Sequence, residues 1–284
     1  MLKQRVITAI LLLAVLIPSV IHPSVYPFGV VSLVLIACAA WEWSRLNGYG
    51  SPVSIAHGLL CGVVCSAAWC VGWSTPGAQG LWLIAGSFWV LAGAWLLHSG
   101  AARWLKVPQI LRLTGGIAAL VLAWIAVMQA RAIGINFLMS VLALAWAADI
   151  SAYFAGRGFG GKLFSRKLAP SISPGKTWEG VLGGVAGVII LAFVWMAVDD
   201  AQHFSSRSLY SLLARGGYIY LMLCALFMTA MSVVGDLVES LFKRLAGVKD
   251  SSGLLPGHGG VLDRVDALLP TLPLAMMLTT LGMQ

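Results

Sequence analysis

The residue types best suited to chemistry lie close together between positions 232 and 266. Four polar side chains there are spaced i, i+3, i+4 and i+7, which places them on one helix face: Asp236, Glu239, Ser240 and Lys243. Asp263 and Asp266 follow a glycine-rich run at 257–260 and would also project together. Mg²⁺ prefers a few carboxylates plus substrate phosphates, and phosphoryl-type transfer depends mainly on positioning and charge neutralisation. The pattern therefore predicts a divalent-metal phosphate site; a salt-bridged loop would explain the charges but not the glycines.

A second group of candidates surrounds Lys176. The Gly-Lys-Thr run at 175–177 resembles the end of a P-loop, but Pro170 stands where that motif needs its first glycine, so a Walker motif is excluded. Ser173 is a candidate N-cap with Pro174 at the first helical position. Capping explains Ser173 but does not explain a lysine beside a membrane face. Lys176 is therefore predicted to meet phosphate.

A third group begins at Asp149, since an acid at the edge of a membrane helix is costly unless it is paired, hydrated or bound to a cation. Gly156, Gly158 and Gly161 then satisfy G-x-G-x-x-G, but they follow a membrane helix and not a strand, which excludes a Rossmann site. Two interpretations stay open. The glycines form either a loop whose backbone approaches phosphate or a flexible connection between helices.

Composition shows what must position these residues. The chain has 284 residues, of which 60% are hydrophobic and 10% charged, and its mean hydropathy is +0.91. Soluble proteins carry about 25% charged residues, so a soluble domain is excluded and a bilayer is the expected environment; no nucleic-acid partner is predicted. All five cysteines lie in apolar runs, which argues against a disulfide framework. His57, Cys61 and Cys65 share a helix face, where helix packing is preferred to a soft-metal site.

Hydropathy predicts an all-α integral membrane protein with about nine transmembrane helices, each near the roughly 20 residues that a bilayer needs. The predicted spans are 6–21, 25–41, 53–73, 79–97, 115–130, 135–153, 181–198, 218–235 and 267–283. The first resembles a signal peptide but lacks a cleavage site, so a retained anchor is expected. Glu42 and Arg45 follow the second span, where a solvated or snorkelling pair is expected. Glycines near 183–187 should let helices approach closely.

The basic residues decide orientation. With the N-terminus in the cytoplasm, 15 of the 18 lysines and arginines fall on the cytoplasmic side, and only Arg131, Arg207 and Arg215 fall on the other. This bias predicts a cytoplasmic N-terminus and a C-terminus on the opposite side, and an eight-span count would break it. We divide the chain into an N-terminal region of about five spans that acts mainly as scaffold (1–130) and a C-terminal catalytic region of about four spans (131–284).

These motifs resemble those of the phosphatidate cytidylyltransferases, also called CDP-diacylglycerol synthases. The longest matching pattern is Ser240-x-x-Lys243-Arg244-x4-Lys249-Asp250-x-x-Gly253-x-Leu255-Pro256-Gly257-His258-Gly259-Gly260-x-x-Asp263-Arg264-x-Asp266. The segments 173–180 and 149–157 resemble that family's Ser-Pro-x-Lys-Thr-x-Glu-Gly and Asp-x-x-Ala-Tyr-Phe-x-Gly-Arg. The resemblance covers about residues 149–270; Gly175 departs from it, since many relatives carry a second basic residue there.

The resemblance implies that CTP and phosphatidic acid are the substrates and that CDP-diacylglycerol and pyrophosphate are the products. It also implies Mg²⁺, in a number that the sequence leaves open, and a homodimer in the bilayer. A bacterial inner membrane with the active site facing the cytoplasm is expected. In this assignment Asp236 and Asp263 are the metal ligands, and the catalytic residues are Asp236, Lys243, Asp263 and Asp266. The predicted substrate-binding residues are Ser173, Lys176, Thr177, Ser240, Arg244, Lys249, His258, Gly259, Gly260 and Arg264.

The expected reaction is in-line attack of a lipid phosphate oxygen on the α-phosphorus of CTP. Because that oxygen is already an anion, His258 is not needed as a general base. A CTP-dependent lipid kinase and a membrane transporter are the alternatives. The kinase would release CDP and a phosphorylated lipid, and a transporter would place acids within the spans instead of along one membrane side.

Overall fold

The computed structural model describes residues 2–77, 79–202 and 204–281 and contains helices but no named strand within those ranges. The all-α class predicted from hydropathy is confirmed. The helices are α1 (Leu2–Ile21), α2 (Tyr26–Leu46), α3 (Ser51–Cys70), α4 (Gln79–Trp104), α5 (Gln109–Ile133), α6 (Ile135–Phe159), α7 (Trp178–Gln202), α8 (Leu209–Ala214), α9 (Tyr218–Leu245), α10 (Leu262–Val265) and α11 (Leu268–Leu281).

Eight of these helices are long and apolar enough to cross a membrane, namely α1 to α7 and α9. Each coincides with one of the first eight predicted spans. The ninth predicted span, 267–283, corresponds to α11, whose 14 described residues measure about 21 Å at 1.5 Å per residue. A hydrocarbon core is about 30 Å thick, and most of α11 is buried among other helices. The ninth span and the orientation of the termini therefore stay predictions.

Helices α6 and α7 pack closely because glycines line their contact. A side chain on Gly183 would overlap the Cβ atom of Ala155, and one on Gly187 would overlap Ser151. On Gly156 of α6, a Cβ atom would lie 3.2 Å from Thr177 Oγ1. The small residues thus bring the backbones together, as predicted for the glycine-rich part of α7.

Two local predictions are wrong. Gly156 and Gly158 do not belong to a loop, because α6 continues to Phe159 and the chain turns only at Gly161, where φ is +79°. Ser173 is not the N-cap of α7, which begins at Trp178. Thr177 takes that role, since its hydroxyl accepts a hydrogen bond from the N–H of Gly180 at 3.1 Å.

Away from the predicted active-site residues, buried polar side chains form hydrogen bonds with backbone groups at the ends of helices. Arg131 on α5 donates to the carbonyl oxygens of Val20 (3.0 Å) and His22 (2.6 Å), where α1 ends without further intrahelical partners. Asp199 on α7 is 2% exposed and accepts hydrogen bonds from the Ser208 N–H and hydroxyl. These contacts hold the segment after α1 and the segment before α8 in place. Neither segment carries one of the predicted motifs.

Candidate active site

Three carboxylates meet where α9 passes the segment between α10 and α11. Asp236 and Glu239 lie one turn apart on α9, and Asp266 approaches them from the later segment. One oxygen from each lies within 4.8 Å of the others. Gly235 permits this approach, because a Cβ atom there would lie only 2.5 Å from the backbone oxygen of Asp266. Carboxylate oxygens are the ligands that a hard divalent cation prefers, so this group could supply part of its coordination shell.

The charge state of Asp266 supports the same conclusion. Burial, and next the negative charge of Asp236, raise the pKa of Asp266 to about 7, against the opposing hydrogen bond from the Ala267 N–H. Crowded carboxylates repel one another until one of them takes a proton or a cation binds. The donor set therefore fits a divalent metal.

Asp263 has different partners from the other acids. Its carboxylate accepts hydrogen bonds from Lys243 Nζ (2.7 Å), Gly260 N (2.7 Å) and both the N–H and the hydroxyl of Ser251 (2.9 Å each). Burial alone would raise the pKa of Asp263, but hydrogen bonding with Glu239, Lys243 and these backbone groups lowers it to about 2. Lys243 also forms an ion pair with Glu239. Asp263 thus organises the glycine loop and adjoins the three-carboxylate cluster through Lys243 and Glu239.

Lys176 reaches the acid cluster from a separate loop. Its Nζ atom lies 2.5 Å from Asp236 Oδ2. A bridge between Ala169 and Ser173 and the hydrogen bond from Leu168 N to Lys176 O fold this loop back on itself. The second sequence cluster is therefore next to the third, as expected for parts of one site.

A cavity of about 620 Å³ opens between α6, α7 and α9 beside this ion pair. Its charged lining consists of Asp149, Arg157, Lys176 and Asp236, and the remainder is mostly apolar. Ligand sites of 300–1,000 Å³ with a few polar groups on apolar walls are typical of small-molecule binding. The cavity can hold a molecule with one charged end and one apolar end.

Glu179, in the first turn of α7, organises the loop after α6. It is buried, and its Oε1 atom accepts hydrogen bonds from the N–H groups of Gly161 (2.9 Å), Leu163 (3.0 Å) and Phe164 (3.0 Å). The turn from Gly161 to Phe164, where the segment considered as a phosphate loop ends, directs these three N–H groups at a protein carboxylate. Its backbone donors are thus already used.

Glu42 on α2 is the site residue that sequence reasoning missed. Expected to be solvated, it is 0% exposed. Its carboxylate accepts hydrogen bonds from Val261 N (2.9 Å), Leu262 N (2.7 Å), Ser251 Oγ (3.1 Å) and Ser252 Oγ (2.5 Å). The prediction of a snorkelling pair is wrong because α2 packs beside the loop that follows α9, where four donors replace water.

The glycines of this loop allow it to wrap around carboxylates. Gly259 has a φ of +81°, and a Cβ atom there would lie 2.7 Å from Asp263 Oδ2. A side chain on Gly260 would overlap Ser251 Oγ and a carboxylate oxygen of Glu42. Both glycines are therefore needed for local geometry, whatever ligand the loop meets.

The other predicted binding residues lie around the same loops. Ser240 Oγ donates to Asp236 Oδ1 at 3.2 Å, and Arg244 Nε lies 3.5 Å from the Ile172 oxygen. Arg264 donates twice to the His258 oxygen, at 3.0 and 2.6 Å. Lys249 is exposed, and no side-chain hydrogen bond or ion pair to it is found within the described ranges. The structure thus gathers Lys176, Ser240, Lys243 and the acids, and leaves Lys249 at the surface.

Comparisons with known proteins cover nearly the whole chain. The sequence profile of the cytidylyltransferase family matches residues 3–281. The chain is 36% identical over 277 residues to the phosphatidate cytidylyltransferase of Pseudomonas aeruginosa, covering 96% of this chain and 95% of the relative. It is 35% identical over 298 residues to that of Haemophilus influenzae, covering 96% of both. Similarity to the Bacillus subtilis enzyme, 38% over 148 residues, covers 52% of this chain and 49% of the relative.

Proposed function

Because the chain belongs to the cytidylyltransferase family and makes CDP-diacylglycerol and pyrophosphate from CTP and phosphatidic acid, we propose that the carboxylate cluster on α9 and its two flanking lysines form the reaction centre. One observation carries this proposal: Asp236 belongs to the three-carboxylate group and also contacts Lys176 from another loop. The second and third sequence motifs therefore meet at Asp236, and Asp149 of the first motif lines the cavity beside them. Neither the lipid-kinase nor the transporter alternative is needed.

We assign the divalent cation, Mg²⁺, to Asp236, Glu239 and Asp266, whose oxygens are grouped. When bound, it would neutralise charge on the reacting phosphates and stabilise the leaving pyrophosphate. Asp263 was predicted as a ligand, but four hydrogen bonds already occupy its carboxylate. We therefore propose that Asp263 holds Lys243 and the glycine loop in place.

The lysines would supply positive charge on both sides of the carboxylates. Lys243 shares α9 with Asp236, so we assign it, with Arg244, to the nucleotide phosphates. Lys176 lines the large cavity, so we assign it to the phosphate of the lipid. The attacking oxygen of phosphatidic acid forms a bond to the α-phosphorus of CTP, and the bond to the bridging oxygen breaks with its electron pair leaving on pyrophosphate. The nucleophile is an anion, so no side chain has to remove a proton.

The cavity between α6, α7 and α9 would admit the lipid. Phosphatidic acid has one phosphate and two acyl chains, which matches a lining with a few charges and mostly apolar walls. Its position between spanning helices would let the acyl chains stay in the bilayer while the headgroup meets Lys176.

We keep the boundary near residue 130 but propose that the N-terminal region does more than support the bundle. Glu42 holds the loop between α9 and α10, and Thr8 on α1 donates to the oxygen of Pro256 in the same loop at 2.9 Å. We further propose a homodimer in a bacterial inner membrane with the active site facing the cytoplasm. The family resemblance supports the dimer, and the bias of basic residues supports the orientation.

The assignment is tested with purified protein, labelled CTP and phosphatidic acid, with and without Mg²⁺. We expect a cytidine-bearing lipid and pyrophosphate only when the cation is present, and at least a hundred-fold less product from Asp236→Asn. Full activity of that variant would place the reaction centre elsewhere in the chain.

A further inference from the structure

A second polar cavity lies away from the proposed reaction centre, at the ends of α2, α4, α5 and α9. Its volume is about 290 Å³, and two arginines line it, Arg45 and Arg112. The hydrogen bond from Gln109 Nε2 to the Asn47 oxygen, at 2.8 Å, ties α5 to the end of α2 and helps to define this cavity. Arg45 is further held over the ring of Trp41, 5.0 Å from its centroid.

The cavity carries positive charge without a protein counter-ion. All ten acidic residues of the chain lie in the described ranges, and none pairs with Arg45 or Arg112. The Nε atom of Arg112 is buried and has no hydrogen-bond partner among the described residues. A buried donor without a partner is costly, and guanidinium groups match the oxygens of phosphate. These features favour an anion as the occupant of the cavity.

The remaining walls favour a lipid over a soluble anion. Trp43 and Trp104 flank the cavity, and Leu46, Leu105 and Leu245 supply apolar surface. Tryptophans concentrate at the headgroup level of membranes. Basic pockets between membrane helices on the side rich in lysine and arginine bind anionic headgroups. An amphipathic molecule that carries a phosphate could place the phosphate against the arginines and its apolar part against the tryptophans and leucines.

We propose that this cavity binds the phosphate of an anionic membrane phospholipid, at a site separate from the reaction centre. Its occupancy would affect the end of α9. Phe242, which directly precedes Lys243, packs 4.7 Å from the ring centroids of both Trp43 and Trp104. A bound lipid would contact these three aromatic rings and restrict their movement.

A cavity near the opposite ends of the helices provides a matched control. It measures about 170 Å³ and is also lined by two arginines, Arg207 and Arg215. Here, however, Asp200 accepts a hydrogen bond from Arg207 at 3.1 Å. An internal counter-ion makes this second pair of arginines a poor anion site, although the number of positive charges is the same.

The test uses the full-length protein in detergent, titrated with phosphatidylglycerol, phosphatidylcholine or inorganic phosphate. Native mass spectrometry measures the bound lipid. Phosphatidylglycerol should bind to the wild type and to Arg207→Gln/Arg215→Gln, and at least ten-fold more weakly to Arg45→Gln/Arg112→Gln. Arg45→Lys/Arg112→Lys keeps the charge but loses the planar fork. It should bind at an intermediate level, and it serves as the informative pair if the glutamine pair does not fold.

Equal binding of phosphatidylglycerol by the wild type, by Arg45→Gln/Arg112→Gln and by Arg207→Gln/Arg215→Gln would overturn the proposal. Displacement of the lipid by millimolar inorganic phosphate would instead assign the cavity to a soluble phosphate and overturn the lipid assignment. Since the probe is not a substrate and the readout is binding, failure here leaves the proposed reaction centre intact. Weaker CTP binding by the glutamine pair than by the wild type in lipid-free detergent would also contradict a separate site.

Discussion

The carboxylate of Glu42 accepts a hydrogen bond of 2.7 Å from the backbone N–H of Leu262, 220 positions later in the chain. Through this contact α2, which carries none of the sequence motifs, holds the loop between α9 and α10, which carries most of the longest motif. Four donors converge on the same carboxylate, so we infer that Glu42 would affect the reaction by positioning this loop and not by touching substrate.

Replacing Glu42 with glutamine tests this role. The amide would direct an NH₂ group at donors, so at least one hydrogen bond is lost and others are strained. Hydrogen bonds to charged groups contribute about 1.5–3 kcal/mol each. We expect Glu42→Gln to lower kcat at least ten-fold and to lower thermal stability in detergent.

Asp199→Asn is the matched control for this variant. Asp199 is equally buried and also has four hydrogen-bond donors, but it holds the loop around Ser208 and Ser211. This change should cost similar stability and leave kcat within about two-fold. If Asp199→Asn slows turnover as much as Glu42→Gln does, the effect is general destabilisation.

The two lysines should separate the two substrates. Losing one charge-assisted contact costs about 1.5–3 kcal/mol, or roughly 10- to 150-fold in the affected constant. Lys243→Ala should lower kcat/KM for CTP even at saturating phosphatidic acid, whereas Lys176→Ala should act mainly on the lipid dependence. Steady-state kinetics in mixed micelles, with each substrate varied, decide the assignment; the opposite pattern would exchange the two subsites.

Asp263 should make stability depend on pH. Its pKa of about 2 in the folded protein lies below the unfolded value of about 3.9. The ionised Asp263 carboxylate therefore contributes its full stabilisation above about pH 4, and this stabilisation disappears as pH falls through about 2. The pKa difference corresponds to about 2–3 kcal/mol of the free energy of unfolding.

Asp263→Asn removes this titration. We expect the difference in thermal stability between wild type and variant to be large at pH 6 and to close toward pH 2. The variant should also lose turnover while still inserting into membranes. Near-normal activity, or a stability difference that does not change with pH, would contradict the assigned role of Asp263.

Sidedness is tested by labelling single cysteines in sealed vesicles. Leu254 between α9 and α10 and Ser205 between α7 and α8 are both exposed, and the nine-span prediction puts them on opposite sides. In a Cys70→Ser background, a membrane-impermeant maleimide should label Leu254→Cys and Ser205→Cys from opposite sides. Reaction of both from the same side would exclude the predicted orientation.

Sequence reasoning identified what depends on local pattern. The first eight spans follow from runs of apolar residues, and the motifs from residue types at fixed spacing. It missed what depends on distant packing. Nothing near Glu42 in the sequence indicates that a loop 210 positions later supplies its donors. Gly156 and Gly158 suggested a loop, but both lie within α6, and Gly156 is where α6 passes close to the start of α7. Thr177 and Ser173 are both plausible caps, and only the folded loop distinguishes them.

We assign Asp236 to a cation site, and Mn²⁺ binding measured by electron paramagnetic resonance tests this assignment without any turnover. Purified protein without nucleotide should show one saturable class of bound Mn²⁺ that Mg²⁺ displaces. Asp236→Asn should weaken this binding at least ten-fold, while Asp200→Asn, which removes an exposed acid paired with Arg207, should leave it unchanged. Unaltered Mn²⁺ affinity in Asp236→Asn would show that Asp236 is not a ligand of the cation.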